Sequence, residues 1–196
     1  SGTAVDFTAS ADSVNEYCLV PNSDFLRPVY IGKVTNQNLH SITKAEYLIV
    51  THPLFLQEAQ RLALFHQKKD GLSYAIATTD QIYNEFSSGR PDVSAIRDFI
   101  RMVYTRTTGT SKPLKYVLLM GDGSYNNKNR NLVNNSNLIP TYQSRNSLSS
   151  TISITTDDFF GLMDPEEGFN AEDNGYIDLG IGRFTCRTVS EVRAVI

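Results

Sequence analysis

From Lys44 onward, apolar residues fall into two patterns that alternate along the chain: short unbroken runs, and stripes at three- and four-residue spacing. Tyr47 to Val50, Leu72 to Ala77 and Lys115 to Met120 are short runs bounded by polar or turn residues. Such runs fit strands buried on both faces. Between the first two, Leu56, Ala59, Leu62, Ala63 and Phe65-His66 lie along one helical face. Between the second and third, Val93, Ile96, Phe99, Ile100, Val103 and Tyr104 do the same. Thr51 is placed to cap the first helix, Pro53 suits its first turn, and Gly71 supplies a left-handed stop; Asp92 is an N-cap for the second. Strand, helix, strand, helix, strand in this order calls for parallel strands with right-handed crossovers. The expected fold is α/β, a three-layer α/β/α arrangement with a mainly parallel sheet.

The flanks read differently. Residues 1–43 lack helical periodicity; extended pieces at Glu16 to Val20 and Pro28 to Val34 are broken by Pro21, Asn22, Ser23 and Gly32. They are expected to be a lead-in or the tail of a preceding β-rich domain, with residues 44–196 forming the α/β unit. Asn126 to Ser150 is long and rich in Asn and Ser, a kind of segment that carries function or packs as an ordered excursion. Ile152 to Leu162 has strand character around Asp157-Asp158, and Ile177 to Ile181 reads as another short strand. Thr188-Val189-Ser190-Glu191 is a capping box that opens a helix, and no stop signal precedes Ile196. The expectation is a fragment whose next half is missing.

Composition narrows the classes of function. At 196 residues the chain suffices for one domain and a small appendage, and its net charge is -3 with 18 scattered basic residues. Nucleic-acid binding by electrostatics is not supported. No apolar run approaches the roughly 20 residues that span a bilayer, and Ser1-Gly2-Thr3 opens no basic-then-apolar leader. Cys18 and Cys186 form no CxxC pair or histidine cluster, which disfavours zinc; a disulfide between them stays open.

Candidate chemistry gathers at strand ends. In KYVLLMGDGSY, Lys115 to Tyr125, the apolar run stops at Gly121-Asp122-Gly123, which presents Asp122 where α/β folds place ligands. A tight turn with Asp122 bonding nearby amides fits equally well. Asp157 and Asp158 are adjacent, so on a strand they would face opposite ways; one of them could bond the Asp122 loop or cap a helix. His52 follows a strand and is the best-placed histidine, with Cys186 in a comparable position; a His52–Cys186 dyad would meet the minimal need of thiol catalysis. Asn170, Glu172, Asn174 and Gly175, in the acidic tract Asp164 to Asp178, loosely imitate a calcium loop, although Ile181 stands where such a loop needs Glu. No cofactor is required, and calcium as a structural ion stays open beside a plain acidic loop. No phosphate-binding motif is complete. A stand-alone ligand- or metal-binding module using Asp122 and the 126–150 loop is the competing class.

Several long motifs carry a resemblance. YVLLMGDGSY (Tyr116 to Tyr125), LIPTYQSRNSL (Leu138 to Leu148), TTDDFFGLMD (Thr155 to Asp164) and DLGIGRF (Asp178 to Phe184) resemble the first half of the gingipain-type C25 cysteine peptidase domain. NQNLHSI (Asn36 to Ile42) and EYLIVTHPLF (Glu46 to Phe55) are similar to its type IX secretion sortase branch. Asn126 departs from the Asp expected after GSY. The resemblance implies a caspase-like fold and thiol chemistry. It places the catalytic His, in a Gly-His-Gly context, and the catalytic Cys beyond residue 196. It leaves Asp122, Asp157 and Asp158 as structural or ligand candidates. It also implies action at the outer membrane with a β-barrel partner, on the C-terminal signals of secreted cargo. On this reading the chain supports a catalytic subdomain of the same protein and is inactive alone.

Overall fold

Strand faces alternate between two cores. In the computed structural model, which describes residues 6–10, 12–127, 137–144, 149, 151–164, 167 and 175–196, the chain divides into two units, Ser1–Asn36 and Gln37–Ile196. The described part of the first is exposed, with a 3-10 turn at Asn22–Asp24 and no strand; Phe7 and Tyr17 meet ring to ring at 4.9 Å. The extended pieces expected there form no strand among the described residues.

The second unit holds a parallel sheet of β1 (Tyr47–Thr51), β2 (Tyr74–Thr78), β3 (Tyr116–Met120) and β6 (Gly180–Phe184), in the order β2-β1-β3-β6. Two residue-pair strands, β4 (Tyr142–Gln143) and β5 (Thr155–Thr156), form a separate antiparallel ribbon. The helices are α1 (Leu56–Asp70), α2 (Thr79–Phe86), α3 (Val93–Thr107) and α4 (Val189–Val195). Leu48, Val50, Val117 and Leu119 turn to one side, against Ile82 of α2 and Ile96, Phe99 and Ile100 of α3. Tyr47, Ile49, Leu118 and Met120 turn to the other, against Ala59, Leu62 and Ala63 of α1 and Val192 of α4. Residues one apart on a strand face opposite ways, so an unbroken apolar run feeds both helical layers. The α/β/α expectation holds.

Local signals account for most boundaries, with four corrections. His52, rather than Thr51, caps the 3-10 turn Pro53–Phe55 that leads into α1; its Nδ1 accepts from the Leu54 amide at 3.3 Å. Gly71 ends α1 at φ 69°, as the sequence indicated. Phe65 falls outside the α1 core and is half exposed beneath the Lys69 ammonium, 5.2 Å from its ring centre. The Leu72 to Ala77 run leads directly into α2, a helix the sequence reading left out, which Thr78 and Gln81 open with a capping box. The last strand is Gly180–Phe184, three residues later than the Ile177 to Ile181 run, so that Tyr116 pairs with Gly180 and Met120 with Phe184.

Candidate functional site

Strand order reverses between β1 and β3: β2 lies on one side of β1, and β3 with β6 on the other. Loops leaving the carboxyl ends of such a pair diverge and open a crevice there, where ligands collect in open α/β sheets. His52 follows β1 and Asp122 follows β3, so both lie at this edge.

The Asp122 turn is held from several directions. Gly121, at φ 155°, sits where a Cβ would lie 3.1 Å from Ile139 Cγ1. The Gly121 amide donates to the Phe184 carbonyl and the Asp122 amide to the Cys186 carbonyl, both at 3.0 Å, which extends the β3–β6 ladder past the strands. The Asp122 carbonyl accepts from the Leu138 and Ile139 amides at 2.9 and 3.1 Å and pins the return of the long excursion. Its carboxylate accepts from Arg187 Nε at 2.7 Å. The tight turn expected of Asp122 is present, and its carboxylate lies at the crevice edge beside the Arg187 guanidinium.

Arg183 organises the rest. Its Nε and Nη2 donate to the two carboxylate oxygens of Asp157, each at 2.7 Å, a bidentate pair. Its Nη1 donates to the Gly121 and Ile139 carbonyls, both at 2.9 Å. One guanidinium with a side-chain exposure of 7% thus joins the turn after β3, the segment at 138–140 and the segment after β5. Arg97 moors the far end of that last segment: Nε and Nη2 donate to the Leu162 carbonyl, and the guanidinium lies 5.1 Å from the Phe159 ring centre. Burial lowers the Arg97 pKa, and the Phe159 ring against its face with carbonyls accepting from its in-plane N–H groups replaces its lost water.

Asp157 and Asp158 are not on a strand. Asp158–Phe160 is a 3-10 turn and Asp157 precedes it, so their directions follow the turn rather than a pleat. Asp157 is spent on Arg183, and through it one of the pair does tie to the Asp122 loop. Asp158 is exposed; its amide donates to Thr156 Oγ1, and its carboxylate has no hydrogen-bond partner among the described residues. Asp122, Gly123, Thr141, Thr156, Asp157 and Thr185 border a cleft of about 200 Å³ at this edge.

The dyad does not assemble. Among the described residues no hydrogen bond joins His52 to Cys186, and the imidazole is engaged with the Leu54 amide. Burial lowers the His52 pKa and raises that of Cys186, with Glu191 and Asp122 adding to the second shift. A buried thiol held protonated is the opposite of an activated nucleophile. Cys18 is exposed and Cys186 buried, and each is a free thiol within its own unit. His66 pairs with Asp70 at 2.7 Å and His40 with Glu85 at 2.6 Å, both away from this edge. Among the described residues no three His, Cys, Asp or Glu side chains are grouped to hold a metal, and no helix is long and apolar enough to cross a membrane. Asn170, Glu172 and Asn174, and most of the 126–150 loop, lie outside the described residues. Arg183, Arg187 and Arg97 were not singled out by sequence; the expected strand ended at Ile181, which left Arg183 outside it, although the structure puts Arg183 within β6.

Comparison with known proteins adds identity to this geometry. The model of peptidase family C25 matches residues 40–196. A crystal structure of dimeric latent PorU from Porphyromonas gingivalis is similar at 32% identity and a TM-score of 0.69, over 84% of this chain and 16% of that one. A complex of the pro- and mature domains of RgpB from Porphyromonas gingivalis is similar at 18% identity and a TM-score of 0.49, over 76% of this chain and 26% of that one. This chain therefore spans about a sixth of the length of the PorU chain that it matches. No curated protein sequence matches significantly.

Proposed function

The chain belongs to peptidase family C25, and from that membership we propose that it is the first, supporting subdomain of a sortase-branch cysteine peptidase. The catalytic His and Cys belong to a companion subdomain of the same protein, outside these 196 residues. The whole enzyme cuts C-terminal signals from secreted cargo at the outer membrane, beside a β-barrel partner. The observation that carries this reading is the 32% identity with PorU over 84% of the chain, together with a crevice that holds no activated thiol of its own. Calcium stays a proposal for a structural ion only.

Within this reading the three carboxylates divide. Asp157 and Asp122 neutralise Arg183 and Arg187 and shape the crevice wall. Asp158, exposed at the same edge, is the carboxylate left to assist a histidine presented by the companion subdomain. Orienting a catalytic base and stabilising its protonated form acts on the chemical step. In the whole peptidase, Asp158→Asn is expected to lower kcat about 100-fold with little change in KM. Wild-type kcat in that variant would remove Asp158 from the mechanism.

A further inference from the structure

At the opposite, N-terminal edge of the sheet, three strands open on tyrosine. Tyr74, Tyr47 and Tyr116 are register partners across β2, β1 and β3, and Gly180 continues the row on β6. Register partners in a parallel sheet share a face. A Cβ on Gly180 would lie 3.0 Å from Tyr116 Cδ1, so the glycine makes room for that ring. His66 and Asp70 from the last turns of α1, and Leu72 just after it, meet Tyr47 and Tyr116 around a cavity of about 410 Å³. That volume lies in the range of small-ligand sites.

The walls are aromatic and fixed. The Tyr47 and His66 rings meet edge to face, 5.2 Å apart at 76°. Asp70 holds the imidazole from its other side at 2.7 Å. Tyr47 is 8% exposed as a residue, and no hydrogen bond within the protein holds its hydroxyl among the described residues, which leaves that oxygen to the solvent side of the cavity. Burial raises its pKa to about 12, so the phenol keeps its proton and remains a donor. A phenol with an apolar body in the wall and its hydroxyl at the opening can donate to a bound acceptor in place of water. Lys68 and Lys69 flank Asp70 on α1, and Lys112 and Lys115 stand beside Glu46 at the same sheet edge. Four ammonium groups against two carboxylates give no preference for a cation.

We propose that this cavity binds a planar aromatic group carrying a hydrogen-bond acceptor, supplied by an aromatic residue of a peptide or by a free small molecule. The ring packs among Tyr47, His66, Tyr116 and Leu72, and the Tyr47 hydroxyl donates to the acceptor. The site is independent of the crevice at the other end of the strands, so it does not rest on the peptidase reading.

The chain contains no tryptophan, so indole fluorescence reports an added probe alone. Two probes separate the sources: N-acetyl-tryptophanamide for a peptide residue, and indole-3-carboxamide for a free molecule. A saturable blue shift with either supports the site and names its source. Tyr116→Ala is expected to weaken binding about tenfold, and because Tyr116 is 51% exposed the fold should survive. Tyr47→Phe, which removes only the hydroxyl, should weaken it about fivefold. Leu64→Ala, on α1 outside the cavity lining, should change nothing, and circular dichroism verifies each variant. No saturable shift with either probe, wild-type affinity in both tyrosine variants, or displacement by N-acetyl-argininamide at equal concentration would overturn the proposal.

Discussion

Arg183 shows what a single side chain contributes at the crevice. Its guanidinium accepts no substitute, because it makes a bidentate pair with Asp157 and two further bonds to backbone carbonyls. Lysine offers one point charge in place of that planar fork. Arg183→Ala leaves a partly buried carboxylate and two carbonyls without donors and is expected to destabilise the fold by about 3–5 kcal/mol. Arg183→Lys should recover less than half of the loss in urea denaturation. A variant unfolding at the wild-type midpoint would show that the three segments are held by something else. A tie between one of Asp157 and Asp158 and the Asp122 loop was expected, but its arginine partners were not legible, since Arg183 and Asp157 are separated by 26 residues and Arg187 and Asp122 by 65. Asp122 was visible because it follows an apolar run, and Asp157 and Asp158 because they stand adjacent within a segment of strand character. Their division into paired and unpaired came only with the fold.

Elements were more legible than contacts, and where they were missed the reason is physical. The stripes of α1 and α3 marked those helices because burial of one face leaves a periodic record. Helix α2 spans eight residues and follows β2 directly, so its start merged with the strand's apolar run. Its signal was nonetheless present: Thr78 followed three positions later by Gln81. Thr78→Ala, which removes the acceptor for the Gln81 amide, should lower stability by about 1 kcal/mol. An unchanged melting midpoint would mean that packing of Ile82 and Tyr83 alone sets where α2 begins. The position of β6 was misplaced for a different reason. Ile177 to Ile181 has the better strand composition, but pairing with β3 fixes the register, and Gly182 and Arg183 are tolerated there because one lacks a side chain and the other is fully bonded.

For the molecule as a whole, charge at the N-terminal sheet edge sets the response to acid. Glu46 is buried, with Lys115 Nζ at 3.1 Å, Lys112 Nζ at 3.4 Å, and the Ser73 amide and hydroxyl on its second oxygen. The Ser73 amide, then Lys115, hold its pKa down from 4.5 to about 2. A folded-state pKa below the unfolded one adds stability that is fully present above pH 4.5 and is lost as pH falls toward about 2. The loss across that window is about 3 kcal/mol. Glu46→Gln should be less stable than wild type at neutral pH, with a flatter stability curve in that acid window. Parallel curves for the two proteins would refute the role of Glu46.

The same scale decides whether the chain supports catalysis or performs it. The most direct measurement applies an electrophilic peptide probe for thiols to the 196-residue chain and to a longer form of the protein. With Cys186 buried and its thiol held protonated, labelling should appear in the longer form alone and should survive Cys186→Ala there. Labelling of the 196-residue chain that disappears in Cys186→Ala would place the nucleophile here and contradict the division of labour between subdomains.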